Sequence, residues 1–588
     1  MTVSERERSS AEVRDLRHLY LERALSQIPR LLSLQDRNPF SPTYGSFHRP
    51  YWLDKTSDFP DALGQFAVQS LAIVYAHDMP GNIYFGQPKI RDWTIAGLEY
   101  WARVQHADGS FDEFYPYERG WAGPTAFTCF AAVEAVHCLG ESMTSDTRER
   151  VLSAIRKAAH FIAAGESEED HLANHHAIAC MAVWKAYELL GDPTLKEGYE
   201  RLWRGFLHYQ QPEGWSVEYD GVDPGYLSAT VSFLAKIYQT HPTPEMLNVL
   251  EAAVSFASYF VYPNGYYGGS MGSRQTLHFY PHGFEVLASD IPLAGSIAQK
   301  MLEGLDRGGL VPPEVMPDRY LPYRVAEYLQ AYLDAAPRPS DLPKLPYERE
   351  PFTDWFPTAR VYARRGERSY LLVNLAKGGV IKLFDAQTGT LVFNDCGILA
   401  KLQGGELVSS QWVDPRYEVM VSDEIVQIHG RLQKMPSTKT FTPLKMAMFR
   451  GVLTAVGWNG PASHMMKGGI RKLLMLGTRP VPVQFRRQIR LDGDNLLVTD
   501  HLERTGSAVF ASLMIGDEFA VRYVPQSRYF QAQELDISGL WLNQAQIDQL
   551  NDSGVLTVVR SVDLTAGVTQ TQVVATTVRS DELQVGLS

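Results

Sequence analysis

Asn174, His175 and His176 open an apolar run, ANHHAIACMAVWKAYELL, that stops at Gly191. An amide can hold a carboxylate by hydrogen bonding, and an imidazole can carry a proton near neutral pH. A plainer account competes: Asn174 caps a helix whose apolar stripe holds Ile178, Met181 and Trp184, with the histidines solvated beside it. The stretch PEGWSVEYDGVDPGYLSATVSFL places Glu218, Tyr219, Asp223 and Tyr226 in a bent loop before a helix expected to begin near Leu227. After Pro224-Gly225, Tyr226 would project from a helix mouth, as a proton donor or as an ordinary half-buried ring. Arg274, His278 and His282 lie among glycines and aromatics in GYYGGSMGSRQTLHFYPHGFEV, a composition of ring faces and donors that suits a sugar. A surface ion pair for Arg274 and structural roles for the histidines are the alternatives.

Two further stretches mix cations with rings. One holds Tyr44, His48, Arg49, Tyr51, Trp52 and Lys55; the other holds Asp112, Glu113, Tyr115 and Trp121. Stacking and charge pairing of this kind make subsites for anionic sugars, whereas capping and interhelical ion pairs would use the same residues structurally. No metal-ligand spacing and no phosphate loop stands out, so catalysis without a cofactor is expected.

These residues need helices to position them. From about residue 10 to 340 the pattern is helical, punctuated by Gly, Pro and Asp. In TSDTRERVLSAIRKAAHFIAAG, Ser145 or Asp146 is expected to cap and Gly165 to end the helix. In TPEMLNVLEAAVSFASYF, Thr243 is expected to cap with Pro244 at the first helical position. After a Pro-rich stretch at about 336 to 352 the period becomes two, as in SYLLVNLAKGGVIKLFDAQTGTLVFND around the turn Ala386-Gln387-Thr388-Gly389. The expected fold class is α+β and multidomain: an (α/α) toroid of helical hairpins over 1–340, a linker over 341–355 and an antiparallel β-sandwich over 356–588.

The 588 residues, 45% hydrophobic, are enough for two or more cores. A formal net charge of -12 argues against nucleic acid or an anionic membrane surface as partner. Cys129, Cys138, Cys180 and Cys396 show no paired spacing and read as buried free thiols. The charged start and the lack of a long apolar run give a cytoplasmic expectation, and the oligomeric state is left open.

Helical hairpins with an Asn-His pair at one helix start, then a bent Glu- and Tyr-bearing loop, then a sandwich, resemble the heparinase II/III-like polysaccharide lyases and oligo-alginate lyases. The resemblance implies β-elimination on a uronate. Asn174 matches the amide that neutralises the sugar carboxylate, and His175 and Tyr226 match the groups that move protons, with Arg274 as a charge partner. His176, Tyr51, Trp52, Arg49, Glu113, Tyr115, Glu218, His278, His282 and Lys377 are the expected substrate contacts. Relatives with an Asn-Asn-His run would instead align His176 with the catalytic histidine. The sandwich histidine of the family has no clear counterpart; Asn374, Lys377 and Lys382 stand near its place, with His464 more distant. A glycoside hydrolase using Glu113 and Glu218, or a non-catalytic glycan-binding protein, remain alternatives.

Overall fold

The computed structural model describes residues 15–117, 123–165, 172–422, 425–436, 442–471, 479–493, 495–519, 524, 527, 529–535, 539–564 and 568–574. Among them, the elements up to residue 333 are helices: α1 (His18–Leu34), α2 (Arg49–Trp52), α3 (Ala67–Ala76), α4 (Pro88–Val104), α5 (Pro124–Leu139), α6 (Ser145–Ala164), α7 (Ala173–Leu190), α8 (Pro193–Leu207), α9 (Pro224–Tyr238), α10 (Pro244–Ser258), α11 (His282–Val286), α12 (Pro292–Asp306) and α13 (Leu321–Leu333).

Packing closes these into a ring. Helix α3 packs on α5, α5 on α7, α7 on α9, α9 on α11, α11 on α13, and α13 back on α3. The sequence explains which helices take the inside. α5, α7 and α9 are apolar nearly all round and almost wholly buried, whereas α6 and α8 carry a buried stripe opposite a charged face and lie outside. Thr243 caps α10 with Pro244 behind it, as expected. Helix α6 differs: Thr144 caps it, accepting from the Thr147 N–H, and Gly165 leaves it in an extended conformation, with φ -66° and ψ 125°. Ser145 and Asp146, one and two positions on, are capping types as well, so composition alone did not choose between them.

The second half contains β1 (Phe352–Phe356), β2 (Val361–Arg365), β3 (Ser369–Asn374), β4 (Val380–Asp385) and β5 (Leu391–Asp395), an antiparallel meander with its turn at 386–389. Strand β1 starts inside the stretch expected as linker. A larger sheet follows from β6 (Ile398–Leu402), β7 (Leu407–Ser409), β8 (Glu418–Val421), β9 (Ile425–Lys434), β10 (Pro480–Asp492), β11 (Asn495–Arg504), β12 (Phe510–Ile515), β13 (Leu540–Trp541), β14 (Val555–Asp563) and β15 (Val568–Val574). Helices α14 (Pro443–Val456) and α15 (Gly460–Arg471) interrupt it between β9 and β10, and α16 (Gln544–Ser553) precedes β14. The sequence reading did not anticipate these three helices.

The small sheet is a middle layer. Tyr370 and Leu372 of β3, with Val380 and Phe384 of β4, join the helical core. Their alternates Leu371, Val373, Ile381 and Leu383 join the core between the two sheets. Both faces are covered, which is why this stretch reads as a nearly continuous apolar run.

Inside the larger sheet, buried Arg487 pairs with Asp500 at 2.6 Å and Asp395 at 2.9 Å, and Arg560 pairs with both aspartates. Burial pushes the Asp395 carboxyl up, but Arg487 and Arg560 outweigh it and hold it below its ordinary value. A depressed carboxyl adds stability above its unfolded pKa of about 4, and the gain is lost as pH falls through the folded value. Arg487→Met leaves a buried charge uncompensated and should cost about 3–5 kcal/mol at neutral pH in denaturant unfolding. The deficit should shrink below about pH 4 as Asp395 protonates.

Candidate functional site

Helix α7 begins at Ala173 with Leu172 in the capping position, so Asn174 is the second helical residue and not the cap. Its side chain turns to the loop before α9. Nδ2 donates to Glu218 Oε1 at 2.8 Å and Oε2 at 2.9 Å, and the Asn174 backbone N–H also donates to Oε1. Both residues are buried. Asn174 and Glu218 therefore satisfy each other, as buried polar groups must. The two histidines diverge. His176 is buried and stacked on Tyr209 at 4.5 Å, while half-buried His175 meets Phe127 edge-on at 6.2 Å.

Asp223 caps α9 and ties two loops together. One carboxylate oxygen accepts the Tyr226 N–H at 3.3 Å and the other accepts the Arg274 N–H at 3.0 Å. Gly272 packs so closely that a Cβ there would lie 2.5 Å from this carboxylate, which requires glycine. Helix α9 starts at Pro224, earlier than the expected Leu227, and Tyr226 sits in its first turn. The Tyr226 ring lies 5.7 Å from Tyr219 and 6.3 Å, edge-on, from His278; the Arg274 guanidinium lies 4.6 Å over the Tyr219 ring.

The backbone around these groups is strained. Tyr219 at φ 51°, Asp220 at 72° and Gln275 at 55° are left-handed without being glycine, as are Lys55, Phe114 and Tyr117 in the other two aromatic stretches. Such conformations cost on the order of 1–3 kcal/mol each and persist where the surroundings over-determine them.

Burial, aided by Tyr219, Asp223 and Glu218, pushes the Tyr226 hydroxyl well above its ordinary range, so it keeps its proton. Burial and Arg324 push His278 well below the usual imidazole value, so it is neutral. Both His278 ring nitrogens and Gln275 Oε1 are buried without a hydrogen-bond partner among the described residues. Burial pushes the Arg274 guanidinium down, while Tyr219, Asp220 and Asp223 oppose it.

Glu113 faces Arg319, which bridges to it at 2.7 Å and to Asp61 at 2.6 Å and lies 3.8 Å over the Phe114 ring. Burial raises the Glu113 carboxyl and Arg319 opposes it. Arg319 and Tyr320 were missed in the sequence, although PDRYLPYR shows the cation-and-ring mixture noted elsewhere. Arg49, Tyr51 and Trp52 form the half-buried helix α2; Arg49 reaches Asp54 at 3.5 Å and Trp52 Nε1 donates to Leu34 O. Its neighbour His48 accepts the Asp61 N–H, which sets α2 beside the Arg319 cluster. Tyr115 meets Phe449 of α14 edge-on at 5.5 Å.

Two expected substrate contacts are tied into the scaffold instead. His282 is fully buried between Lys236 at 2.9 Å and Asp334 at 2.8 Å, where it links α9, α11 and the end of α13. Lys377 donates to Ser270 O at 3.0 Å and Gly272 O at 2.6 Å, and Asn374 donates to Met271 O. The sandwich thus clamps the backbone of the Arg274 loop at the place where a histidine was sought. Lys382 donates to Asn394. Trp121 and the His464 side chain lie outside the described residues. No group of three or more metal-ligating side chains converges among the described residues.

Residues 84–280 match the family model of the ulvan lyase N-terminal domain, a segment that contains Asn174, His175, Tyr226, Arg274 and His278. No curated protein matches the chain in sequence. Among solved structures, the chondroitin AC lyase of Streptomyces coelicolor A3, in complex with chondroitin sulphate, is similar at 12% identity and a TM-score of 0.50. The match covers 86% of this chain and 68% of that one. A Paenibacillus xanthan lyase is similar at 9% identity and a TM-score of 0.50, over 94% of this chain and 60% of that one. At these identities the likeness is one of fold: a helical toroid followed by an antiparallel sandwich.

Because the Asn174 side chain holds Glu218 and is no cap, Asn174→Ala should remove the Nδ2 bonds to the buried carboxylate at a cost of about 1–3 kcal/mol. Asn174→Ser, which would repair a cap, should not restore the loss; thermal unfolding of both variants checks this.

Proposed function

We propose that the chain is a polysaccharide lyase that cleaves a uronate-containing glycan by β-elimination. The observation that carries this reading is the convergence of two helix mouths. Asn174 and His175 lie in the first turn of α7, Tyr226 lies in the first turn of α9, and Glu218 joins them, with Arg274 stacked on Tyr219 beside Tyr226. The ulvan lyase N-terminal match over the same residues and the lyase-like toroid support it.

The C5 proton of a uronate is too weakly acidic to leave unless the sugar carboxylate is neutralised. Asn174 is engaged with Glu218, so that charge falls to Arg274, and Asn174 acts by fixing the loop that carries Tyr219 and Tyr226. His175 takes the C5 proton. The electron pair forms the C4–C5 double bond as the C4–O4 bond breaks, and Tyr226, kept protonated by burial, donates its proton to the departing O4. The neutral, unpartnered His278 and the Gln275 carbonyl offer hydrogen bonds to the sugar ring. A hydrolase built on Glu113 and Glu218 is less well supported, because Arg319 and Asn174 already hold these carboxylates.

Purified protein incubated with ulvan, chondroitin sulphate, xanthan and alginate should raise the ultraviolet absorbance of one of them, the mark of a conjugated unsaturated uronate. New reducing ends without that absorbance would mean hydrolysis. Tyr226→Phe should retain the fold and lower turnover by on the order of 10²-fold or more. Turnover within about twofold of the parent protein would remove Tyr226 from the chemistry.

A further inference from the structure

The net charge of -12 conceals a local reversal. No Asp or Glu occurs from residue 425 to 491, and 441–479 contain Lys445, Arg450, Lys467, Arg471, Lys472 and Arg479. The helices α14 and α15 form the centre of this cationic stretch.

One side of the hairpin is anchored on the toroid. Leu453 is buried, Phe449 meets Tyr115, Arg450 pairs with Asp58 at 3.0 Å with its guanidinium over Phe59, and Ser463 Oγ donates to Tyr117 O. The other side is bare. Leu444 is 72% exposed, Met448 65% and Val452 50%, a stripe at four-residue spacing along α14. Trp458 at 63% and Met465 at 78% extend the apolar surface toward and into α15. Lys445, beside the stripe, is exposed as well. A stripe of large apolar side chains along one helix face in water calls for a cover.

We propose that the α14–α15 hairpin seats the protein on an anionic lipid surface, its apolar stripe entering the headgroup boundary and Lys445 beside it meeting lipid phosphates. The pairing of bulky aliphatic side chains with one sign of charge selects this occupant. An anionic glycan would be held by cations and ring faces and would gain nothing from Leu444, Met448, Val452 and Met465. A second copy related by a two-fold axis would bring two wholly cationic stretches together. Because the hairpin braces residues 58–59 and 115–117, the lipid surface would lie beside the loops that carry Glu113 and Tyr115.

The test is independent of catalysis. The full chain is sedimented with vesicles of phosphatidylcholine alone and with vesicles containing phosphatidylglycerol at about three parts in ten. Partition should be about 10-fold or more stronger on the anionic vesicles and should weaken in high salt. Leu444→Glu with Met448→Glu should abolish binding, and Lys445→Glu should weaken it, with unfolding curves unchanged because these side chains are exposed. Equal partition to both vesicle types, no binding, or binding that survives the double variant would overturn the proposal. So would a dimer in sedimentation equilibrium that the same variants dissociate, which would assign the stripe to a second copy. Retention on an anionic polysaccharide, lost in the variants while vesicles stay unbound, would assign it to glycan.

Discussion

The Asp223 carboxylate is the contact on which the candidate site depends. It accepts the first-turn N–H of α9 through one oxygen and the Arg274 N–H through the other, so a single buried group sets Tyr226 and Arg274 relative to each other. Burial raises its pKa, and the two backbone donors oppose the rise, which means the carboxylate is satisfied when both loops are in place and poorly satisfied otherwise. The contacts around it lock the same two loops. Ser273 donates its N–H to Val222 O and its hydroxyl to Glu218 O, and Ser527 donates to Arg274 O. With both loops fixed, left-handed Tyr219, Asp220 and Gln275 become tolerable, because relaxing any one would break bonds at several others.

The sandwich belongs to this arrangement through its middle sheet. A sheet with one wet face could have drifted on its linker, but β3 and β4 bury alternate side chains in the helical core and in the intersheet core, so the halves share apolar surface. Polar bonds then set the register. Tyr259 donates to Asp354, Tyr370 donates to Tyr259 O, and Glu213 of the toroid accepts from Thr358 and Ala359. Lys377 reaches across this seam from the sandwich. Burial drives its ammonium down to about 8, against Cys396 and Asp223, and its three donors make it a clamp for backbone carbonyls rather than a hand for substrate.

What could be read from the sequence was what depends on period and local chemistry. The switch from helical to alternating periodicity shows directly in the elements, and Thr243 with Pro244 marked a helix start because capping is decided within one turn. The cap stayed open as an alternative for Asn174 because its partner, Glu218, is distant in sequence and no local rule could pair them. His282 and Lys377 looked like site residues for the same reason: type and neighbourhood suggested exposure, and the groups that bury them, Asp334, Lys236 and the 270–272 backbone, come from other elements. The ambiguity between His175 and His176 was one of helical phase. Successive residues point about 100° apart, so one packs on Tyr209 and the other stays half-exposed near Phe127. Net charge gave a correct average and no account of distribution, which is how a stretch without Asp or Glu, from 425 to 491, lay within an acidic chain.

On the proposed reading, burial acts on Tyr226 and Arg274 in opposite senses that serve one selection. It makes the phenol hold its proton, which an acid for the leaving oxygen needs, and it makes the guanidinium costly to keep charged, a cost that Tyr219, Asp220 and Asp223 oppose. The mouths of α7 and α9 add partial positive charge at the same place. A uronate entering this site adds a carboxylate beside the guanidinium and offsets part of the desolvation cost, whereas a neutral hexose of the same shape would offset none of it. Discrimination between acidic and neutral sugars therefore follows from the desolvation that a substrate carboxylate offsets, and ring shape need contribute little to it.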